Sequence, residues 1–221
     1  MFQHPPPHSL KEEPPVIIIG AGGHARVLLG VLKMLGRQVL FFTDDAPKSQ
    51  GKIIDGIRVQ GPQEEILKHT PHDVVLVNGI GSVSPPVIRQ QVFHRFSYRG
   101  YRFATIIHPD ALIAPSAQIA QGAQVMAGTI VQAGALIGAN TILNTRCSVD
   151  HDCIIGAHTH IAPGVTLSGN VSVGQMCHLG TGATVIHGIT IGHSTLVGAG
   201  AVVVDNVPTG TKVSGVPAKT M

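Results

Sequence analysis

The sequence predicts an α/β domain with a small doubly wound parallel sheet, followed by a parallel β-helix. Three observations predict it. An apolar run enters a glycine turn and a helical pattern near residue 16, further apolar runs alternate with helix-like segments to about Arg102, and from Ile107 an aliphatic residue recurs at every sixth position.

The first domain spans residues 16–105. VIIIG is a strand, AGGHA a turn, and RVLLGVLKMLG carries apolar residues at helical spacing. QVLFFTDD and DVVLVNG add strands, while EEILKH and PPVIRQQVFHRF read as the intervening helices. Gly20, Gly22 and Ala25 satisfy GxGxxG/A, and Asp44 and Asp45 follow about 20 residues later, near the acidic position that meets a ribose in dinucleotide folds. A glycine turn opening a helix offers free N–H groups and a positive dipole end to any phosphate, so it indicates a nucleotide rather than a redox cofactor. Gly23, His24, and Gly79 and Gly81 after the DVVLVNG run join the substrate-binding candidates. As a tight turn alone, the same glycines would need no ligand.

The second domain spans residues 106–221. Stepping by six from Ile107 to Val203 gives 17 positions, all Ile, Leu or Val, where chance would place about five. Each hexapeptide supplies one short strand and one corner, three make a coil of 18 residues, and the aliphatics stack inward about 4.8 Å apart. Glycine and asparagine at positions such as Gly122, Asn140, Asn170 and Asn206 are expected to supply left-handed corners. Cys147, Cys153 and Cys177 fall in a small inward slot, so packing accounts for them.

Composition narrows the function. Charged residues are 12% of the chain, aromatics 4% without Trp, and Gly numbers 27, which suits neither a helical bundle nor a disordered chain. The +3 charge comes without basic runs, which argues against nucleic-acid binding. An odd cysteine count without CxxC implies a reducing, cytoplasmic setting. Residues 1–15, MFQHPPPHSLKEEPP, lack the basic start and apolar core of a signal peptide and are expected to be a disordered leader. No stretch is long enough to span a bilayer.

In SVDHDC, His151 follows inward-facing Val149 by two places and should point outward, with Asp152 beside it. An imidazole oriented by a carboxylate suits removal of a proton from an attacking amine near neutral pH. His158, His178 and His193 read as surface residues.

The hexapeptide array, GAGGHA, SVDHDC and the closing SGVPAK together resemble the bacterial nucleotide-sugar acetyltransferases that join a Rossmann-like nucleotide-binding domain to a left-handed β-helix. The likeness runs over nearly all the chain after Pro15. It implies a homotrimer with acetyl-CoA between neighbouring β-helices, no metal, and no membrane or nucleic-acid partner. It implies His151 as general base and Asp152 as its partner, with Asn144 and Asp150 near the sugar amine, Asp150 standing where glutamate is common. His160 would lie near the acetyl group and Gly169 would offer an oxyanion donor. Gly198 and Lys219 would complete the coenzyme site, Lys219 meeting a phosphate. The acceptor implied is a nucleotide-linked 4-amino-4,6-dideoxy sugar, UDP-linked by preference. O-acetylation of a sialic acid or another sugar hydroxyl is an alternative. A metal-dependent hydratase like the gamma-class carbonic anhydrases is another, since His151 and His187 lie two coils apart, but position 192, where its third ligand would fall, is glycine. An NAD-linked oxidoreductase would leave the β-helix unexplained, and a nucleotide-binding scaffold would leave His151 and Asp152 unexplained.

Overall fold

The computed structural model describes residues 13–221. Residues 1–12 of the expected leader lie outside the described residues, whereas residues 13–15 are tied to the first domain. Glu13 pairs with Arg37, and the Pro15 carbonyl accepts a 3.0 Å hydrogen bond from Val75 N.

The first sheet is built from β1 (Val16–Ile19), β2 (Val39–Thr43), β3 (Ile53–Ile54), β4 (Ile57–Gly61) and β5 (Val75–Asn78), in the order β3-β4-β2-β1-β5. Strand β1 lies parallel to β2 and β5 and is buried on both faces, which is why VIII is a continuous apolar run rather than an alternating one. Helix α1 (Gly23–Met34) packs Ala25, Leu28, Leu29 and Leu32 against Ile18, and α2 (Val87–Ser97) packs Val92, Phe93 and Phe96 against Ile17 and Ile19. Helices therefore cover both faces.

Two details depart from the sequence reading. EEILKH lies in a six-residue 3-10 segment, Gln63–Lys68, too short for the α-helical cooperativity that a longer element would supply. The IIDGIRV stretch forms a β3–β4 hairpin, because Asp55 and Gly56, with φ of 45° and 86°, make the left-handed two-residue turn that twisted strands require.

The chain leaves this sheet at Phe103, bridged to Leu76, and enters the β-helix at Ile106–Ile107. Short strands then occupy three faces, as sheets of eight, six and five strands, all parallel except the final Lys219–Thr220, which pairs antiparallel with Lys212–Ser214. The register advances by one coil at each step, Val131 to Val149 to Leu167 to Val185 to Val203, which stacks the aliphatics in the core. Cys147, Cys153 and Cys177 fill the small slot. Burial pushes the Cys147 thiol up to about 12 and the Cys177 thiol up to about 11, so both stay protonated.

Left-handed corners recur every six residues from Gly122 to Gly200. Glycine and asparagine do not hold them all: Arg146, Asp152, His158, Met176 and Ser194 take the same conformation because inter-coil hydrogen bonds on both sides leave no alternative. Asn206 is not left-handed. The last full coil is shorter, Leu196 pairing with Lys212, and Asn206 Oδ1 instead accepts from Thr190 N at 2.7 Å.

The first domain sits on the eight-stranded face. Ile106 and Met126 join the cluster of α1 and β1, and Gln124 Nε2 donates to the Asn78 carbonyl at 2.8 Å. Gln124, Ile142, His160 and His178, spaced by 18 on this face, are therefore buried against another domain rather than exposed to water.

Candidate active site

The glycine turn opens α1. Gly20, at φ 90°, reverses the chain after β1, and Gly22 is the N-cap with no side-chain cap. The N–H groups of Gly22, Gly23 and His24 have no partner among the described residues and face the helix entrance. Asp44 at the end of β2 closes the turn, its carboxylate accepting from Ala21 N and Ala46 N, each at 2.9 Å. Between this turn and the β-helix lies a cleft of about 520 Å³, lined by Gly20, Gly22, Gly23, His24, Asp44, Gly79, Gly81, Asn144 and His160, and also by Ala21, Ile80, Ser82 and Val83. Asp45 is not part of it. Both its oxygens are taken by Gln63, the backbone N at 2.9 Å and the side-chain amide at 2.6 Å.

Histidines in the cleft are neutral. His24 Nε2 donates to Gln124 Oε1 at 2.7 Å, and burial beside Arg89 lowers its pKa to about 4. His160 donates from Nδ1 to the Ser82 carbonyl at 3.0 Å, so its Nε2 accepts the Asn144 amide at 3.1 Å; burial brings it down to about 3. That bond, with Asn144 Oδ1 accepting from Thr145 N at 2.8 Å, fixes the amide with one N–H to spare. His178, expected on the surface, packs on His160 with ring centroids 4.9 Å apart and lies 3.4 Å from Ser82 Oγ. His158, also expected on the surface, is buried and accepts from Asn140 Nδ2 at 2.9 Å. A six-residue period marks outward positions but does not reveal which face another domain covers. His193, by contrast, is exposed and accepts from Gln175 N at 3.0 Å.

The second candidate group is on another edge of the prism. Asn144 follows the strand Ile142–Leu143 on the eight-stranded face, whereas His151 follows Ser148–Val149 on the six-stranded one, and His151 does not line the cleft. The His151 side chain is 53% exposed, and its Nδ1 lies 2.9 Å from Asp152 Oδ2. Asp150 Oδ1 accepts from His151 N at 2.7 Å. The bond to Asp152, helped by the charges of Asp150 and Asp152, raises the His151 pKa. With Nδ1–H held by Asp152, Nε2 is left as the free base, and it lies over Gly169: a Cβ there would come within 2.3 Å of it. The Gly169 N–H makes no hydrogen bond among the described residues. His187, one coil beyond Gly169, has its ring centroid 6.1 Å from that of His151. No three His, Cys, Asp or Glu side chains among the described residues come together as a metal site.

Below His187 in the same column lies Asp205, and Lys219 Nζ is 3.8 Å from its carboxylate. His151 to Asp205 is three coils, about 14 Å at the inter-strand spacing. Gly198 is elsewhere, at the corner after Leu196–Val197, where a Cβ would strike Ser214 at 2.9 Å.

With this geometry the chain compares as follows. The PglD N-terminal domain family matches residues 15–96, and the bacterial transferase hexapeptide family (six repeats) matches residues 134–169. The acetyltransferase domain of PglB from Neisseria gonorrhoeae FA1090 is 37% identical, covering 95% of this chain and 100% of that one, with a TM-score of 0.88. The chain belongs to this family of acetyltransferases, which join a PglD N-terminal domain to hexapeptide repeats. PerB from Caulobacter crescentus, solved with CoA and GDP-perosamine, is 37% identical over 94% of this chain and 97% of that one, with a TM-score of 0.86. WeeI from Acinetobacter baumannii AYE, at 23% identity and a TM-score of 0.86, shares the fold. None of the curated proteins matches the chain.

For a member of this family, the sequence reading missed Ser82 and Gln124, the residues that hold His160 and His24. Gln124 had a signal. It stands 36 residues before His160 and 54 before His178, whole numbers of coils, so a period of 18 places these polar residues on one face.

Proposed function

We propose that the chain transfers the acetyl group of acetyl-CoA to the amine of a nucleotide-linked 4-amino-4,6-dideoxy sugar, UDP-linked by preference. PglB and PerB are described as an acetyltransferase domain and as a protein bound to CoA and GDP-perosamine, which supports acetyl-CoA as co-substrate and a nucleotide-linked amino sugar as acceptor. The observation that carries the mechanism is the His151 imidazole, held at Nδ1 by Asp152 with Nε2 over Gly169, whose N–H makes no hydrogen bond among the described residues. The sugar nitrogen attacks the thioester carbonyl and Nε2 takes its proton; the C–S bond breaks and the CoA thiolate leaves as its thiol, taking that proton from the imidazolium and regenerating the base. Asp152 steadies the imidazolium, and Gly169 N–H donates to the oxyanion. The His151 to Asp205 column gives the pantetheine arm a path toward Lys219, whose ammonium would exchange Asp205 for a coenzyme phosphate. The glycine-turn cleft of residues 16–105 holds the acceptor's nucleotide, and residues 106–221 hold the coenzyme.

Substituting Gly22 tests this division. A Cβ at Gly22 meets no atom within 4 Å, so Gly22→Val keeps the fold while its methyls obstruct the phosphate approach. The acceptor KM should rise by about tenfold or more with the acetyl-CoA KM unchanged. Equal weakening of both ligands would refute the division.

Cleft and base lie on different edges of one chain, so a complete site draws them from neighbouring copies in a homotrimer. Outward apolar residues lie on the two faces that meet at the His151 corner, Leu112 (65% exposed) two coils before Ser148 on the six-stranded face and Ile154 (51%) on the five-stranded face, and a neighbour would cover them. Light scattering should report three copies. Mixing His151→Ala with Gly22→Val chains and letting subunits exchange should restore activity, since about a quarter of the interfaces would pair an intact cleft with an intact base. A fully active monomer, or no complementation between exchanging subunits, counts against the shared site. No described helix is long and apolar enough to cross a membrane. The enzyme works in the cytoplasm, where acetyl-CoA is supplied.

A further inference from the structure

Arg89, in the first turn of α2, is among the most deeply buried side chains of the protein, 1% exposed. No carboxylate pairs with it among the described residues. Nη1 donates to the carbonyls of Asn78 (2.7 Å) and Ile80 (2.9 Å), Nε donates to that of Asn140 (3.0 Å), and Nη2 has no partner. Its guanidinium thus ties the 79–83 loop of the first domain to a corner of the β-helix. Burying an uncompensated cation is expensive, and three neutral carbonyls could be satisfied by a neutral donor. Burial brings its pKa down to about 9, so it stays charged at neutral pH.

The cleft explains the charge. Among its lining residues there is no lysine or arginine, and the one formal charge is the negative Asp44. The Ile80–Gly81 peptide is trans, so its C=O and N–H point in opposite directions. Its carbonyl is held inward by Arg89, which turns the Gly81 N–H outward, and that N–H has no partner among the described residues. Arg89 also lies near enough to His24 and His160, both lining the cleft, to disfavour their protonation. We propose that Arg89 is a positioning residue for the acceptor's diphosphate: it aims the Gly81 N–H at the phosphate oxygens and supplies, from behind the loop, the positive charge that the cleft wall lacks. This rests on the reading of the cleft as the nucleotide site.

The test separates charge from structure. Uridine, UMP and UDP, with the guanosine series in parallel, are titrated calorimetrically into the full chain and into Arg89→Gln and Arg89→Lys. Arg89→Gln keeps a donor and loses the charge; UDP should weaken by about tenfold or more and uridine by less than about threefold. Arg89→Lys should keep most of the preference for UDP over uridine. Acetyl-CoA affinity should stay unchanged in both, reporting an intact β-helix. If Arg89→Gln weakens uridine and UDP alike, or neither, the electrostatic role is wrong. Should Arg89→Gln not fold, collapse of the UDP preference in Arg89→Lys overturns the proposal and its retention supports it. A wild-type chain that binds acetyl-CoA but neither nucleotide series would overturn the cleft assignment and the role of Arg89 with it.

Discussion

Replacing His151 with alanine lowers turnover by at least about 100-fold, the scale on which general-base catalysis contributes, while acetyl-CoA affinity stays near wild type. The ring is half in solvent and holds no core contact, so its removal uncovers Gly169 without disturbing the stacked coils, and stability should change by less than about 0.5 kcal/mol. Asp152→Asn should cost less in rate and leave a distinct signature. Asp152 and Asp150 hold the His151 pKa above 6.5, and a base works only when unprotonated, so kcat falls as the pH drops through that raised value. Without the Asp152 charge the acidic limb moves to lower pH. Near-normal turnover in His151→Ala, or an acidic limb that does not move in Asp152→Asn, would place the base elsewhere.

Acid should destabilise the docked first domain from about pH 6.5 downward, beginning above the pH at which carboxylates protonate. His24 and His158 are held neutral with pKa values of about 4 and His160 of about 3, each chiefly by burial, with the Arg89 charge acting in the same direction. In the unfolded chain each titrates near 6.5. Stability is therefore full above pH 6.5 and is lost as the pH falls from there toward 4, because the unfolded state takes up protons that the folded state refuses. His160, 6% exposed, contributes on the order of 3 kcal/mol of this loss at pH 4.5. That corresponds to a fall in Tm of roughly 6–12 °C between pH 7 and 4.5 from this residue alone. Differential scanning calorimetry across that range would measure it. His160→Gln, which cannot take a proton, should flatten the curve. A wild-type Tm constant from pH 7 to 4.5 would show that these histidines are not held neutral.

What could be read in the residues follows from how local each signal is. VIIIG followed by AGGHA requires only near neighbours to become a strand, a turn and a helix entrance. The six-residue aliphatic period is likewise local, because every coil repeats the same inward slot whatever surrounds it. His151 belongs to this class: its place two residues after Val149 already directs it outward, and Asp152 is its chain neighbour. The Asp55-Gly56 hairpin was equally local.

Other features were decided only by tertiary packing. His158 and His178 occupy outward positions like those of exposed residues, and they are buried because the first domain covers one of three faces that a hexapeptide period cannot distinguish. Asp44 and Asp45 are adjacent in sequence, yet only Asp44 reaches the cleft, since successive side chains leaving β2 point to opposite sides and Asp45 meets Gln63. Left-handed corners at Arg146 and Met176 go against the preference of their residue types, because the inter-coil hydrogen bonds outweigh a local strain of about 1–2 kcal/mol. The same holds for Arg89. Within PPVIRQQVFHRF it reads as an ordinary helical arginine, and its charge acquires meaning only where α2, the 79–83 loop and a β-helix corner close around it and exclude water.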